Sequence, residues 1–398
     1  MKSILRTRKL TLVLSTLIAG AFVLPAQADL EAGSTYKIGW AADLSNYLSF
    51  VDGPLAKGME VAIEEINSQG GIAGKVKIEL DKRDMKSDPM LGGTVVQELI
   101  SDGANFIVTT CDTDVSLPGA QIAAANGVPV MSSCGADAAG PGQVPDGFGF
   151  LNVPGTLTQG AMLAEHAASK GYKKAYTLKS KSEGYTHTLA NAFEERFKEL
   201  GGEIVGADFY TLGDNSYRVV ATKMVNSDAD VLMTNTFVPD TTAFLKDLER
   251  LGNTKPLLLV DGNDAPVVFD AGQQLELSTM ATYGGNRTPG SAFEKFEQEY
   301  VAKFGEEPES LQTALGYDLI VAVAAAVEAA GTFDGAAVRD ALNQLENVPG
   351  ATGMITYKDS PIGPGIPKKD YAIVTFDVPG KAFVVESVGF PEKFPAVR

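Results

Sequence analysis

At 398 residues and a formal charge of −17, the chain is long enough for two domains with full cores, and its acidic surface excludes nucleic acid and anionic membrane as electrostatic partners. It has two cysteines and two histidines, and neither His166 nor His187 is close in sequence to Cys111 or Cys134, which argues against a zinc site. No G-x-S-x-G elbow and no H-E-x-x-H pair is present, so the common hydrolase signatures are absent.

Residues 1–28 read as a secretory leader. Lys2, Arg6, Arg8 and Lys9 form a basic start, Leu10 to Leu24 is an apolar core too short for a membrane span, and Ala26-Gln27-Ala28 fits small-x-small cleavage. No cysteine follows to carry a lipid, and no later segment reads as a membrane span. Strand patterns then alternate with helix patterns. Tyr36–Ala41 is the first strand, followed by the polar and aromatic loop 43–50. A helix after Gly53-Pro54 carries Leu55, Met59, Ala62, Ile63 and Ile66 near helical spacing and ends at Gly70-Gly71-Ile72-Ala73-Gly74-Lys75. That turn is not a phosphate loop: Gln69 stands where a Walker motif needs Gly, and Val76 where it needs Ser or Thr. Val76–Leu80 is the second strand, and Asp88-Pro89 opens the next helix.

Phe106-Ile107-Val108 is a continuous apolar run, as a buried parallel strand requires, and it stops in the polar stretch Thr109–Asp114. Pro118–Asn126 reads as a helix ended by Gly127, and Val128–Met131 as a strand ending in Ser132, Ser133, Cys134, Gly135 and Asp137. Ligands of open α/β sheets bind outside the carboxyl ends of the strands, so these two ends aim Asp112 and Asp137 into one crevice. Both also suit helix N-caps. Cys111 and Cys134 close neighbouring strands about 5 Å apart, within reach of a disulfide; two buried thiols are the alternative. Beyond the loop 139–149, strands at Lys174–Leu178, Ile204–Tyr210, Val231–Thr234 and Pro256–Val260 alternate with helices at 156–170, 189–200, 217–226 and 241–251. Helices resume at 293–304, 311–330 and 335–345, and 353–390 is strand and turn. The alternation implies α/β architecture with parallel sheets covered on both faces, in two units.

The run Gly58-Met59-Glu60-Val61-Ala62-Ile63-Glu64-Glu65-Ile66-Asn67-Ser68-Gln69-Gly70-Gly71-Ile72-Ala73-Gly74-Lys75, with Asp88-Pro89 and Ala314-Leu315-Gly316-Tyr317-Asp318, resembles the type I periplasmic binding proteins. The nearest branch is the leucine/isoleucine/valine-binding group of ABC-importer solute receptors, and the match is co-linear over nearly the whole chain after the leader. The resemblance implies two Rossmann-like lobes with parallel sheets, joined by three crossover strands. One lobe would hold 29–153 and 286–353, the other 154–285 and 354–398, closing by a hinge on a ligand between them. It further implies a periplasmic monomer that delivers a solute to an inner-membrane ABC permease, with no cofactor and no catalysis. Where that branch grips a carboxylate with hydroxyls and backbone N–H groups, this chain has Asp112 and Asp137, a departure that would repel a carboxylate. The branch's aromatic wall corresponds to Tyr185 and Phe237, its ammonium-binding acid to Asp261 (Asp264 or Gly262 if the register slips), and its lid to Tyr47 or Phe50.

An acidic pocket with aromatic walls favours an amine or quaternary ammonium, and admits a polyol. A cation held by Asp112, Asp114 and Asp137 is a weaker option, and an aliphatic amino acid remains open through backbone N–H groups and Ser133. A sensory receptor of the same fold, and a glycosidase built on an Asp pair, are the alternative functions.

Overall fold

The computed structural model describes residues 30–134, 140–181, 184–214 and 216–396; the expected leader and Asp137 lie outside these. Phe106, Ile107 and Val108 are fully buried, and the strand they form, β3 (Phe106–Thr109), is the middle of a five-stranded sheet. The other strands are β1 (Thr35–Ala42), β2 (Lys77–Asp84), β4 (Val130–Ser132) and β5 (Gly149–Leu151), in the order β2-β1-β3-β4-β5 with every neighbour parallel. The connecting helices are α1 (Ser49–Ser68), α2 (Pro89–Ser101) and α3 (Thr113–Ala125).

The chain then leaves through Asn152–Gly155 and builds a second sheet from β6 (Lys174–Ser180), β7 (Glu203–Tyr210), β8 (Val231–Thr234), β9 (Leu257–Leu259) and β10 (Ser278–Thr282), parallel throughout. Helices α4 (Thr156–Ser169), α5 (Gly184–Glu199), α6 (Arg218–Asn226) and α7 (Asp240–Arg250) connect these strands or cover them. It returns for α8 (Ala292–Phe304), which packs on α1 and α9, and for α9 (Leu311–Ala330) and α10 (Gly335–Asn343), whose apolar faces pack into the first sheet's core. A small ribbon, β11 (Val348–Gly350) and β12 (Gly353–Ile355), follows. The last strands, β13 (Tyr371–Asp377) and β14 (Ala382–Gly389), extend the second sheet in antiparallel fashion, giving β14-β13-β10-β9-β8-β6-β7. Each sheet with its helices is one lobe, and the chain passes between them three times.

The family resemblance puts the last passage near Thr352–Gly353. In the structure Ile355 and Tyr357 belong to the first lobe's core, and the Tyr357 hydroxyl donates to the Leu151 carbonyl at 2.7 Å. The chain turns to the second sheet at Lys369–Tyr371. Lys369 is buried and its Nζ sits 2.6 Å from Oδ2 of buried Asp318 in α9, which also accepts from the amide of Ala351. A buried ion pair of this kind offsets its desolvation only through such extra hydrogen bonds, and it fixes where the strand departs.

α9 is long and apolar enough to cross a membrane, with a mean hydropathy of 1.6 over its most apolar window, contrary to the expectation that no later segment is. It is a core helix: 67% of that window is buried. It crosses α1 at two glycines, and a Cβ at Gly316 would lie 2.1 Å from the Leu55 carbonyl oxygen.

Candidate functional site

The carboxyl ends of β3 and β4 face those of β8 and β9 across the gap between the lobes. Asp112 is the N-cap of α3. Its Oδ1 accepts from the amides of Asp114 at 2.9 Å and Val115 at 3.4 Å. Its Oδ2 accepts from the Tyr47 hydroxyl at 2.8 Å, so both oxygens are engaged and Asp112 ties the loop after β1 to the start of α3. Cys111 beside it is disulfide-bonded to Cys134, with Cα atoms 4.9 Å apart. Ser133 is fully buried; its amide donates to the Thr109 carbonyl at 2.9 Å, and its hydroxyl is sealed from solvent with no partner among the described residues. Asp114 is exposed, and no group of His, Cys, Asp and Glu among the described residues is suited to hold a metal ion.

On the other lobe Asp261 follows β9 and is 9% exposed. Its Oδ1 accepts from the Tyr185 hydroxyl at 2.5 Å and from Nε2 of Gln159 at 2.8 Å. Its own backbone amide also favours the charged carboxyl, and among the described residues no Lys or Arg pairs with it. Burial pushes this carboxyl above its ordinary pKa, with the donors from Tyr185 and Gln159 offsetting part of the shift. Burial likewise raises the Tyr185 hydroxyl well above its ordinary value, and the neighbouring Asp261 adds to that. Asp264 differs: both its oxygens take Nη2 of Arg287 at 2.6 Å, and the Thr282 hydroxyl donates to it as well. It is spent inside the protein. Gly262 contributes close approach, since a Cβ there would lie 2.6 Å from that of Phe237.

Phe237 therefore stands directly beside Asp261-Gly262. Phe50, reaching from α1 on the first lobe, lies parallel to it, with ring centroids 6.2 Å apart and planes within 9°. Phe50 and Tyr47 are both about half exposed, as lid residues at a cleft mouth would be. The lobes also meet where the Leu311 amide donates to the Asp264 carbonyl at 2.9 Å. The structure thus joins Tyr185, Phe237 and Asp261 in one wall and Tyr47 and Asp112 in the other. Trp40 is fully buried in the first core, and the His187 ring donates to the Ser180 carbonyl at 2.5 Å beside the Phe209 ring, so both are structural.

Residue patterning missed Gln159 and Tyr283. Gln159 is fully buried on α4, where its Nε2 also reaches the Ala281 carbonyl at 2.9 Å, and Tyr283 follows β10. The available signal was the polar run Thr156, Thr158 and Gln159 on the buried stripe of an otherwise Ala-rich helix.

The family model described as "Periplasmic binding protein" matches residues 35–378. The Leu/Ile/Val-binding protein BraC3 of Rhizobium johnstonii is 26% identical over 350 residues, covering 87% of this chain and 92% of that protein. Among solved structures, the branched-chain amino acid transporter substrate-binding protein LivJ of Streptococcus pneumoniae, in complex with isoleucine, superposes with a TM-score of 0.76 at 23% identity, covering 91% of this chain and 100% of that one. A solute-binding protein of an ABC transporter from Rhodopseudomonas palustris, in complex with 3,4-dihydroxybenzoic acid, gives 0.79 at 21% identity, covering 91% and 99%. With the match to the family model spanning the first sheet, all of the second but β14, and the three passages between them, the chain belongs to the type I periplasmic binding proteins.

Proposed function

We propose that the protein is a periplasmic solute receptor of an ABC importer that closes its two lobes on an amine-bearing solute, the cation resting on Oδ2 of Asp261. The observation that carries this reading is the state of Asp261: a nearly buried carboxyl whose side-chain donors, Tyr185 and Gln159, are neutral and which pairs with no Lys or Arg among the described residues. A ligand cation there would restore the charge that burial disfavours, and charge-assisted bonds of this kind are roughly twice as strong as neutral ones. Phe50, Phe237 and Tyr185 supply apolar or cation–π contact around it. Asp264 does not compete for the cation, because Arg287 already neutralises it.

The ligand acts by population shift, since it touches both walls only when the lobes are together. In this reading residues 1–28 are a cleaved leader, the first lobe is 29–153 with 286 to about 368, and the second holds the remainder. The receptor works as a monomer beside an inner-membrane permease, without cofactor or catalysis. The relatives' amino-acid ligands support an amine. The parallel Phe50 and Phe237 rings favour a second reading, a flat aromatic acid like the one bound by the Rhodopseudomonas palustris protein.

A thermal-shift panel separates the two: L-leucine, L-arginine, putrescine and choline against benzoate and 4-hydroxybenzoate. A ligand at a hundred times its Kd adds about 2.7 kcal/mol, a readily measured rise in melting temperature. A rise with an amine supports the first reading, and a rise confined to the benzoates replaces it with the second.

A further inference from the structure

We infer that the Cys111–Cys134 disulfide is a positioning element of the hinge between the lobes, beyond its place in the first sheet. Inside that sheet the register of β3 and β4 does not depend on the bond. β3 and β4 are already in register through Ile107↔Val130, Val108↔Met131 and Thr109↔Ser132, and the Ser133 amide closes the pair on the Thr109 carbonyl. What the bond reaches is the apolar cluster between the lobes. Cys134 is buried there with Val51, Leu311 and Leu315 of the first lobe and with Val153, Tyr283 and Tyr371, and Cys111 packs against the same group. Those last three residues come one from each of the three passages between the lobes.

Polar contacts tie the same points together. Asn152, at the first passage, donates from Nδ2 to the carbonyl of Ser133, the neighbour of Cys134, at 2.9 Å and to that of Leu315 at 2.8 Å. The Tyr371 hydroxyl, at the third passage, lies 2.6 Å from the Thr158 hydroxyl and donates to the Gly155 carbonyl at 3.1 Å, and its ring is 5.0 Å from that of Tyr283 at the second. A hinge moves by changing backbone angles in such passages, and its resting position is set by what they pack against. A covalent bond makes one face of that packing unable to rearrange. The two ends of β3 and β4 then move as one body with Asp112, whichever ligand the cleft takes. This inference concerns the empty protein and stands apart from the identity of the solute.

The test is hydrogen–deuterium exchange of the ligand-free Cys111→Ala/Cys134→Ala protein against wild type, read by peptide mass spectrometry. Exchange in peptides spanning 152–158, 282–286 and 366–372 should rise about tenfold, while β6 and β8 in the second lobe stay as in wild type. Acceleration confined to 106–134 would overturn the inference, since the bond would then serve the first lobe alone. So would no change anywhere, or a uniform rise that includes β6 and β8, which is general destabilisation. If the double variant does not fold, the same peptides are read in native wild-type protein reduced with dithiothreitol, with the same outcomes deciding.

Discussion

Asp52 shows how a single side chain in the first turn of α1 shapes the lid. It is fully buried, its Oδ2 accepts from the Asp43 amide at 2.7 Å, and the Asp43 carboxylate in turn accepts from the amides of Ser45, Asn46 and Leu48. These two acids build the loop that presents Tyr47 and Phe50. Burial, reinforced by the charge on Asp43, raises Asp52 from an ordinary 3.8 to about 7, with the Asp43 amide holding it back. The folded state therefore binds a proton that the unfolded chain releases near pH 4. By linkage, Asp52's contribution to stability is full below that point and lost as pH climbs to about 7, on the order of 4 kcal/mol in all. Asp52→Asn keeps the acceptor and removes the titration. Urea unfolding at pH 4.5 and pH 7.5 should show a smaller loss of stability for the variant than for wild type, and an equal loss would show that Asp52 is not the group responsible. None of this is legible from one sequence, where Asp52 is simply an acid early in a helix. Asp261 was legible as a strand-end acid, but its partners Gln159 and Tyr185 come from other elements, and only the fold brings them to one oxygen.

At the scale of elements, long periodic segments were readable and prolines misplaced their starts. The helix pattern after the first strand was read from Gly53-Pro54 and that after β3 from Pro118, yet α1 starts at Ser49 and α3 at Thr113. Each proline is the sixth residue of its helix, where it removes one backbone bond and crowds a carbonyl without ending the helix, and Asp112 supplies the cap of α3. β5 is three residues opening on the last glycine of a Gly/Pro-rich loop, and β10 carries three hydroxyl residues in five, so neither stands out as a strand from its own pattern. The α1–α9 crossing rests on glycines that no periodicity marks. Gly316→Ala forces a methyl group onto the Leu55 carbonyl and should cost about 3 kcal/mol in equilibrium unfolding, by the usual penalty for overpacking. A cost below about 1 kcal/mol would mean the two helices separate freely.

For the whole molecule, alternation of strand and helix implies the layered architecture and two sheets, and the family resemblance adds the boundaries of the two lobes and the three passages between them. The third passage lies later than the resemblance implies because residues 353–368 look like strand and turn in either lobe. Their attachment is decided by Tyr357 and Lys369, whose partners Leu151 and Asp318 lie far away in sequence. Asp112 suits both a cap and a ligand contact from sequence, and in the structure it caps α3 and takes the Tyr47 hydroxyl. The central claim is that the ligand's cation rests on Asp261 while Asp112 organises the first lobe. Its most direct test is isothermal titration of whichever of L-leucine, L-arginine, putrescine or choline gives the largest melting shift, into wild type, Asp261→Asn and Asp112→Ala. The account predicts that Asp261→Asn weakens binding tenfold or more, about 1.4 kcal/mol, and that Asp112→Ala binds within about threefold of wild type while losing about 1 kcal/mol of stability. Wild-type affinity in Asp261→Asn would contradict it.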